Sequence, residues 1–190
     1  TFPGPSMPFG MVQPVPDNKD YGWDHTSGYQ YNDTILLGFS QTRLSGTGIS
    51  EMGDVLLLPI NPKKEQLKNA YYKNTEIGKV GYYALTKKDD VKVELTCSER
   101  VAFHQYTFPD NGAQVYVDLQ HGLRFLFDEQ SQQGLVIESD VKIENNTTIS
   151  GFCATQNWVS RKYYFTITFD QPFINLNHLD PKPKDKAPKY

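Results

Sequence analysis

The strongest constraint on this chain is an alternation of apolar and polar residues with period two. Val91, Val93, Leu95 and Cys97 alternate with Lys92, Glu94, Thr96 and Ser98. Val115, Val117 and Leu119 flank Tyr116 and Asp118, and Val141 and Ile143 flank Lys142. Tyr163, Phe165, Ile167 and Phe169 alternate with Tyr164, Thr166, Thr168 and Asp170. Successive side chains on a strand point to opposite faces, so each segment reads as a strand buried on one face. Further strands are expected at Asp54 to Ile60, Val80 to Leu85, Arg100 to Phe108, Leu123 to Phe127 and Thr147 to Cys153. Pro109-Asp110-Asn111-Gly112 is a strong turn signal, and Gln132-Gln133-Gly134 a weaker one. No segment holds a 3.6-residue period for three turns, and Pro62 to Ala70 can form a short helix at most. The 12 Tyr, 11 Phe and 2 Trp agree, because aromatic residues favour strands. The expected fold class is all-β, an antiparallel β-sandwich.

The 190 residues suffice for one domain. Residues 1–178 are expected to form it, loop-rich over 1–53 and stranded over 54–173. Residues 179–190 read as a Pro/Lys-rich tail or linker that cannot build a core. Pro3, Pro5, Pro8, Pro14 and Pro16 block any long helix near the start. So long an irregular stretch inside a domain is expected to be functional or packed on a partner. The net charge of -3 gives no reason to expect a nucleic-acid partner. No run approaches the roughly 18 apolar residues of a membrane span. The chain opens on Thr1-Phe2-Pro3-Gly4, with no visible signal peptide. Cys97 and Cys153 form no metal or redox motif and read as two small core residues, one disulfide being the alternative. Asn32-Asp33-Thr34 and Asn146-Thr147-Thr148 match the glycosylation sequon.

Recognisable catalytic motifs are missing. His25, His104, His121 and His178 include no pair with helical zinc spacing. His104 is expected to be a packed or hydrogen-bonded strand residue, and His121 to end a strand. Phe103 is a candidate core ring. Leu44-Ser45-Gly46-Thr47-Gly48 lacks the lysine and helix of a phosphate loop. Glu51, Asp54 and Asp24 are loop carboxylates read as structural rather than catalytic. The densest polar and aromatic cluster runs from Tyr21 to Tyr31 and contains Trp23, Asp24 and His25. A flat ring beside carboxylate, imidazole and hydroxyl groups suits a sugar, whose apolar face stacks while its hydroxyls are bonded. The same residues suit an aromatic loop packed over a sandwich edge.

An ordered series of motifs is more specific. Thr1-Phe2-Pro3-Gly4, Pro8-Phe9-Gly10-Met11-Val12-Gln13, Gly22-Trp23-Asp24, Ser27-Gly28-Tyr29 and Gly38-Phe39-Ser40 are followed by Leu44-Ser45-Gly46-Thr47-Gly48 and Gly53-Asp54. Then come Gly81-Tyr82-Tyr83, Arg100 to Pro109, Asp118-Leu119-Gln120-His121-Gly122, Ile149-Ser150-Gly151-Phe152, Trp158 and Gln171-Pro172-Phe173. Together they resemble the N-terminal domain of the glycoside hydrolase family 92 α-mannosidases, over Thr1 to about Phe173.

The resemblance implies a supersandwich-like β domain, here incomplete at both ends, that meets a larger (α/α) barrel. It implies an exo-acting, inverting, calcium-dependent parent enzyme acting on mannose-containing glycans such as N-glycans, secreted, periplasmic or at a bacterial cell surface. The catalytic carboxylates and most calcium ligands would lie in the C-terminal catalytic domain. No catalytic or metal-ligating residue is therefore expected in this chain, which alone would be inactive. Calcium would be the cofactor of the full-length enzyme, with none expected in this chain alone. The substrate-binding residues implied here are Trp23, Asp24, His25, Phe2 and Gly4, with Trp23 as the ring against the sugar. His25 and Arg43 depart from the residues common in relatives, Gly and His respectively, as does the segment Cys153-Ala154-Thr155. The other readings are a non-catalytic carbohydrate-binding module or a purely structural sandwich.

Overall fold

The structure is a computed structural model and describes residues 2–44, 48–109, 112–124, 136–156 and 159–177. Eleven strands run in order among them: β1 (Val15–Asp17), β2 (Gly38–Ser40), β3 (Leu56–Ile60), β4 (Tyr71–Lys79), β5 (Tyr82–Lys87), β6 (Lys92–Cys97), β7 (Ala102–Thr107), β8 (Gln114–Asp118), β9 (Val136–Ile143), β10 (Thr148–Gln156) and β11 (Ser160–Thr168). All pairings are antiparallel and build three sheets, β1-β2-β3-β8, β4-β5-β6-β7 and β11-β10-β9. The fold is an all-β sandwich, as the alternation predicts.

Two apolar clusters hold the sheets together. Leu36, Phe39, Leu58 and Ile60, from the first sheet and its approach, pack with Tyr71, Tyr83, Leu85, Val91, Val93 and Leu95 of the β4–β7 sheet. Val55, Val136 and Cys153 form the second cluster, with Val117, Leu119, Tyr163, Phe165 and Ile167 around them. The first sheet feeds both. All five residues of β3 are buried, so both of its faces are covered. Apolar burial of this kind is the main favourable term in folding.

The sequence expectations meet the structure unevenly. The alternating segments of β6, β8, β9 and β11 are strands. The strand expected from Val80 begins at Tyr82, because Val80 and Gly81 form the turn that leads into β5, Gly81 with φ +73°. Strand β4 has no counterpart in the reading. It is a sheet edge whose register with β5 shifts between Tyr72 and Ile77, which erases a clean period of two. Pro62–Leu67 is a short 3-10 helix capped by the Asn61 side chain. Phe103 is 56% exposed, which corrects its reading as a core ring. Ala102, His104 and Tyr106 take the more buried positions of β7 instead.

Both cysteines are free thiols. Cys153 is fully buried, and burial pushes its thiol up to about 12. Cys97 is half-buried rather than a core residue. Leu123 and Arg124 are not in a strand, and the rest of that predicted segment lies outside the described residues. So do the centre of the Pro109 to Gly112 turn, the Gln132-Gln133-Gly134 turn, Trp158, His178 and the tail.

Candidate functional site

The Tyr21 to Tyr31 cluster lies between β1 and β2. Gly22 enters it with φ +100°, a conformation that glycine adopts without steric cost. Trp23–His25 then form a single 3-10 turn. His25 N–H donates to Gly22 O at 3.1 Å and Gly28 N–H to His25 O at 2.8 Å, closing the loop on itself. Trp23 is 65% exposed at its apex, and Asp24 beside it is also exposed. The Trp23 ring edge lies 3.6 Å from where a side chain on Gly48 would begin, so the ring packs beside Gly48. A cleft lined by Leu44, Ile49, Glu51, Met52, Val159 and Arg161 opens next along that loop.

The other aromatics of the cluster are held by cations. Tyr21 is contacted by Lys19 Nζ, 3.8 Å from its ring centre, and by the Arg124 guanidinium at 5.0 Å. Arg124 is itself paired with Asp20 at 2.8 Å. Lys73 of β4 stands among three tyrosines, 4.2 Å from the ring centre of Tyr31, 5.1 Å from that of Tyr29 and 5.8 Å from that of Tyr71. Such cation–aromatic contacts are worth about 0.5–2 kcal/mol each. The ammonium also donates to Tyr29 Oη at 2.9 Å and pairs with Glu76, which accepts from Tyr83 Oη at 2.6 Å. Burial beside Glu76 raises the Tyr29 and Tyr83 phenols, and burial raises Tyr71 to about 12. These rings stay neutral and serve as walls for Lys73.

His25 is fixed on the loop's other side. Its Nε2 contacts Asp33 Oδ2 at 2.6 Å, and its side chain is 13% exposed. One ring nitrogen thus ties the Trp23 turn to the chain eight residues on. Phe2 and Gly4 are placed by different contacts. A side chain on Gly4 would meet Pro14 O at 2.2 Å, so glycine is required for that close approach. Pro3 lies against Gly78 near the end of β4. Phe2 is half-buried.

Sequence reasoning missed a buried charged network beneath the loop. Asp17 carboxylate pairs with Arg43 NH2, accepts from Ser40 Oγ at 2.7 Å and lies 3.4 Å from His121 Nε2. His121 Nδ1 bonds Gly53 O at 2.7 Å. Asp54 accepts from Thr42 Oγ1 at 2.6 Å and from Arg161 NH2 at 3.1 Å, while Arg161 NH1 pairs with Glu51. Desolvation pushes the Arg43 guanidinium below its ordinary range. These partners lie 12–110 positions apart, and no local sequence pattern marks such pairs. Glu51 and Asp54 thus share Arg161, and Glu51 also lines the cleft.

His104 is a hydrogen-bonded strand residue, as expected. Gln41 Nε2 donates to Phe39 O, which turns Gln41 Oε1 towards His104 Nε2 at 2.9 Å. The imidazole therefore donates from Nε2 and accepts at Nδ1 from Tyr106 Oη, 2.7 Å away. Burial lowers its pKa to about 4.

Calcium takes six to eight oxygen ligands. Among the described residues no group of three or more His, Cys, Asp and Glu side chains is placed to hold a metal ion. The buried carboxylates Asp17, Asp54 and Glu51 face arginines. The residues described do not fit a calcium centre.

Relatives place this architecture. Residues 1–189 match the glycosyl hydrolase family 92 N-terminal domain. A family GH92 alpha-mannosidase from Bacteroides thetaiotaomicron, solved with mannoimidazole, superposes with a TM-score of 0.78 at 32% identity, over 90% of this chain and 23% of that one. An inverting GH92 mannosidase from the same organism shares the fold, with a TM-score of 0.70 at 22% identity, over 92% of this chain and 22% of that one. A secreted glycosidase of Arthroderma benhamiae is 31% identical over 124 residues, 60% of this chain and 16% of its own length. The chain thus spans about a quarter or less of the relatives it matches. No helix among the described residues is long and apolar enough to cross a membrane. With its match running from the first residue to the last but one, the chain belongs to the N-terminal domain family of the family 92 glycosyl hydrolases.

Proposed function

We propose that this chain is the substrate-contacting N-terminal domain of a secreted exo-α-mannosidase that inverts the anomeric centre and uses calcium. The observation that carries this reading is the exposed Trp23 ring on a turn fixed from several sides. A fixed, exposed indole is a stacking platform for the apolar face of a mannose unit in a glycan, and N-glycans are the substrate class it would serve. Asp24, beside it, is available to bond hydroxyls, and Phe2 and Gly4, which other contacts place, are substrate-binding candidates by resemblance to the family. His25 serves through its bond to Asp33.

The chain contributes position rather than proton transfer. An inverting glycosidase needs two carboxyl groups about 6.5–9.5 Å apart, one to protonate the leaving oxygen and one to activate water. Asp17, Asp54 and Glu51 are buried and paired with arginines, and in this reading both catalytic groups and the calcium ligands are supplied by the parent's catalytic domain.

The decisive experiment compares Trp23→Ala with the unaltered parent enzyme on an α-1,2-mannobioside. The expected result is a large rise in KM with the melting temperature kept. An unchanged KM overturns the platform role. A second reading, a purely structural sandwich, is favoured by the cation contacts that already occupy Tyr21, Tyr29 and Tyr31. Calorimetric titration of this chain with mannobiose separates the two, since a structural sandwich gives no heat.

A further inference from the structure

We propose that Arg43 is the positioning residue for Trp23, because its guanidinium clasps the roots of two separate loops at once. The proposal rests on the reading of Trp23 as a sugar platform.

One loop carries the Trp23 ring and closes at Gly28. Gly28 O accepts from Asn18 N–H at 2.7 Å, and Gly28 lies directly on the ion pair. A side chain there would meet Asp17 Oδ1 at 2.1 Å and Arg43 NH2 at 3.1 Å. The second loop carries Gly48, against which the ring rests. Its root is the antiparallel bridge between Arg43 and Met52, followed by Gly53. A side chain on Gly53 would come within 3.4 Å of Arg43 NH1. Gly28 and Gly53 have φ of +78° and +81°, so both stand in the left-handed region that favours glycine.

The guanidinium therefore has one glycine of each loop against each of its terminal nitrogens. NH2 pairs with Asp17 under the Trp23 loop, and NH1 donates to Thr42 O at 2.8 Å beside Gly53. Ser40 Oγ donates to Asp17 as well. His121 Nδ1 bonds Gly53 O, and its ring lies beside the same carboxylate, with Nε2 3.4 Å away. A planar fork with two separated donors can do this, and an ammonium on a flexible stem cannot. Arg43 has no exposed side-chain surface, so its effect on a sugar must pass through the ring.

The test uses this chain with Trp158→Phe, which leaves Trp23 as its one tryptophan. Arg43→Lys and Gly28→Ala should each raise acrylamide quenching of Trp23, by at most about 1.5-fold because the ring is already 65% exposed, with the β-sheet circular dichroism kept. Should either lose its sheet signal, Ser40→Ala removes one bond to Asp17 and reads the same quantity with a smaller rise. Leu95→Ala, in the cluster on the β4–β7 sheet, should lower the melting temperature and leave quenching unchanged. In the parent enzyme, Arg43→Lys should raise KM for an α-mannobioside about tenfold and change kcat less than about twofold. Unchanged quenching in the Arg43 and Gly28 variants overturns the proposal, as does an equal rise in Leu95→Ala. If the quenching result holds and Trp23→Ala leaves KM intact, the clasp stands and the sugar-platform reading fails.

Discussion

The two ends of this sandwich are held by different balances of force. Around β5 and β6 the interior is mainly apolar: Tyr83, Leu85, Val93 and Leu95 are almost wholly buried, and the buried Lys87–Asp89 pair sits at the end of β5. Around the loops between β1 and β3 the interior is charged, with Asp17, Arg43, Asp54 and Glu51 out of water. Apolar contacts are non-directional and tolerate small shifts of the packed groups. Ion pairs and hydrogen bonds fix distance and angle, but removing one partner leaves a buried charge uncompensated. The charged end therefore trades tolerance for definition, and it is the end that carries Trp23.

This contrast can be broken in order of severity. Arg43→Met should have the largest effect, about 3–5 kcal/mol by urea denaturation, since Asp17 is left buried without its cation. A loss below about 1 kcal/mol would mean that the pair is not holding the loops. Leu95→Ala should cost about 2–5 kcal/mol through lost burial and the cavity left behind. The two losses should add, because the variants sit in different clusters.

A pH series comes next. In the unfolded chain His104 titrates near its ordinary 6.5, and in the fold near 4. Above pH 6.5 both forms are neutral there. As pH falls from 6.5 towards 4 the unfolded chain takes up a proton that the folded one refuses, so this share of the stability is lost over that window. His104→Gln should flatten the fall in urea midpoint between pH 7.5 and 5, and an unaltered slope would place the titration elsewhere. Smallest are the exposed rings. Phe103→Ala and Trp23→Ala should each change stability by less than about 0.5 kcal/mol, with only the second damaging mannoside binding.

The strands were legible where one face of a strand is wet and the other dry, as in Val91 to Cys97. Legibility failed where that condition fails. At β4 the register shift and the open edge remove the alternation. In β7 the reading chose the wrong face, because Phe103 is the more apolar residue while His104 and Tyr106 satisfy each other inward. The Tyr21 to Tyr31 cluster was legible as a place but not as a division of labour. Its residue types announce rings and charges together. Only Lys73, distant in sequence, decides that Tyr29 and Tyr31 form walls while Trp23 stays outside. Likewise nothing near Asp17 names Arg43, or near Asp54 names Arg161 at a separation of 107 positions.

Strand β3 carries a consequence for how the molecule comes apart. It is covered on both faces, and the sheet to which it belongs supplies residues to both apolar clusters. Separating β3 from β8 would therefore expose residues of both clusters at once. The amides of Leu56 to Ile60 should accordingly be the slowest to exchange with deuterium, and at the rate of global unfolding.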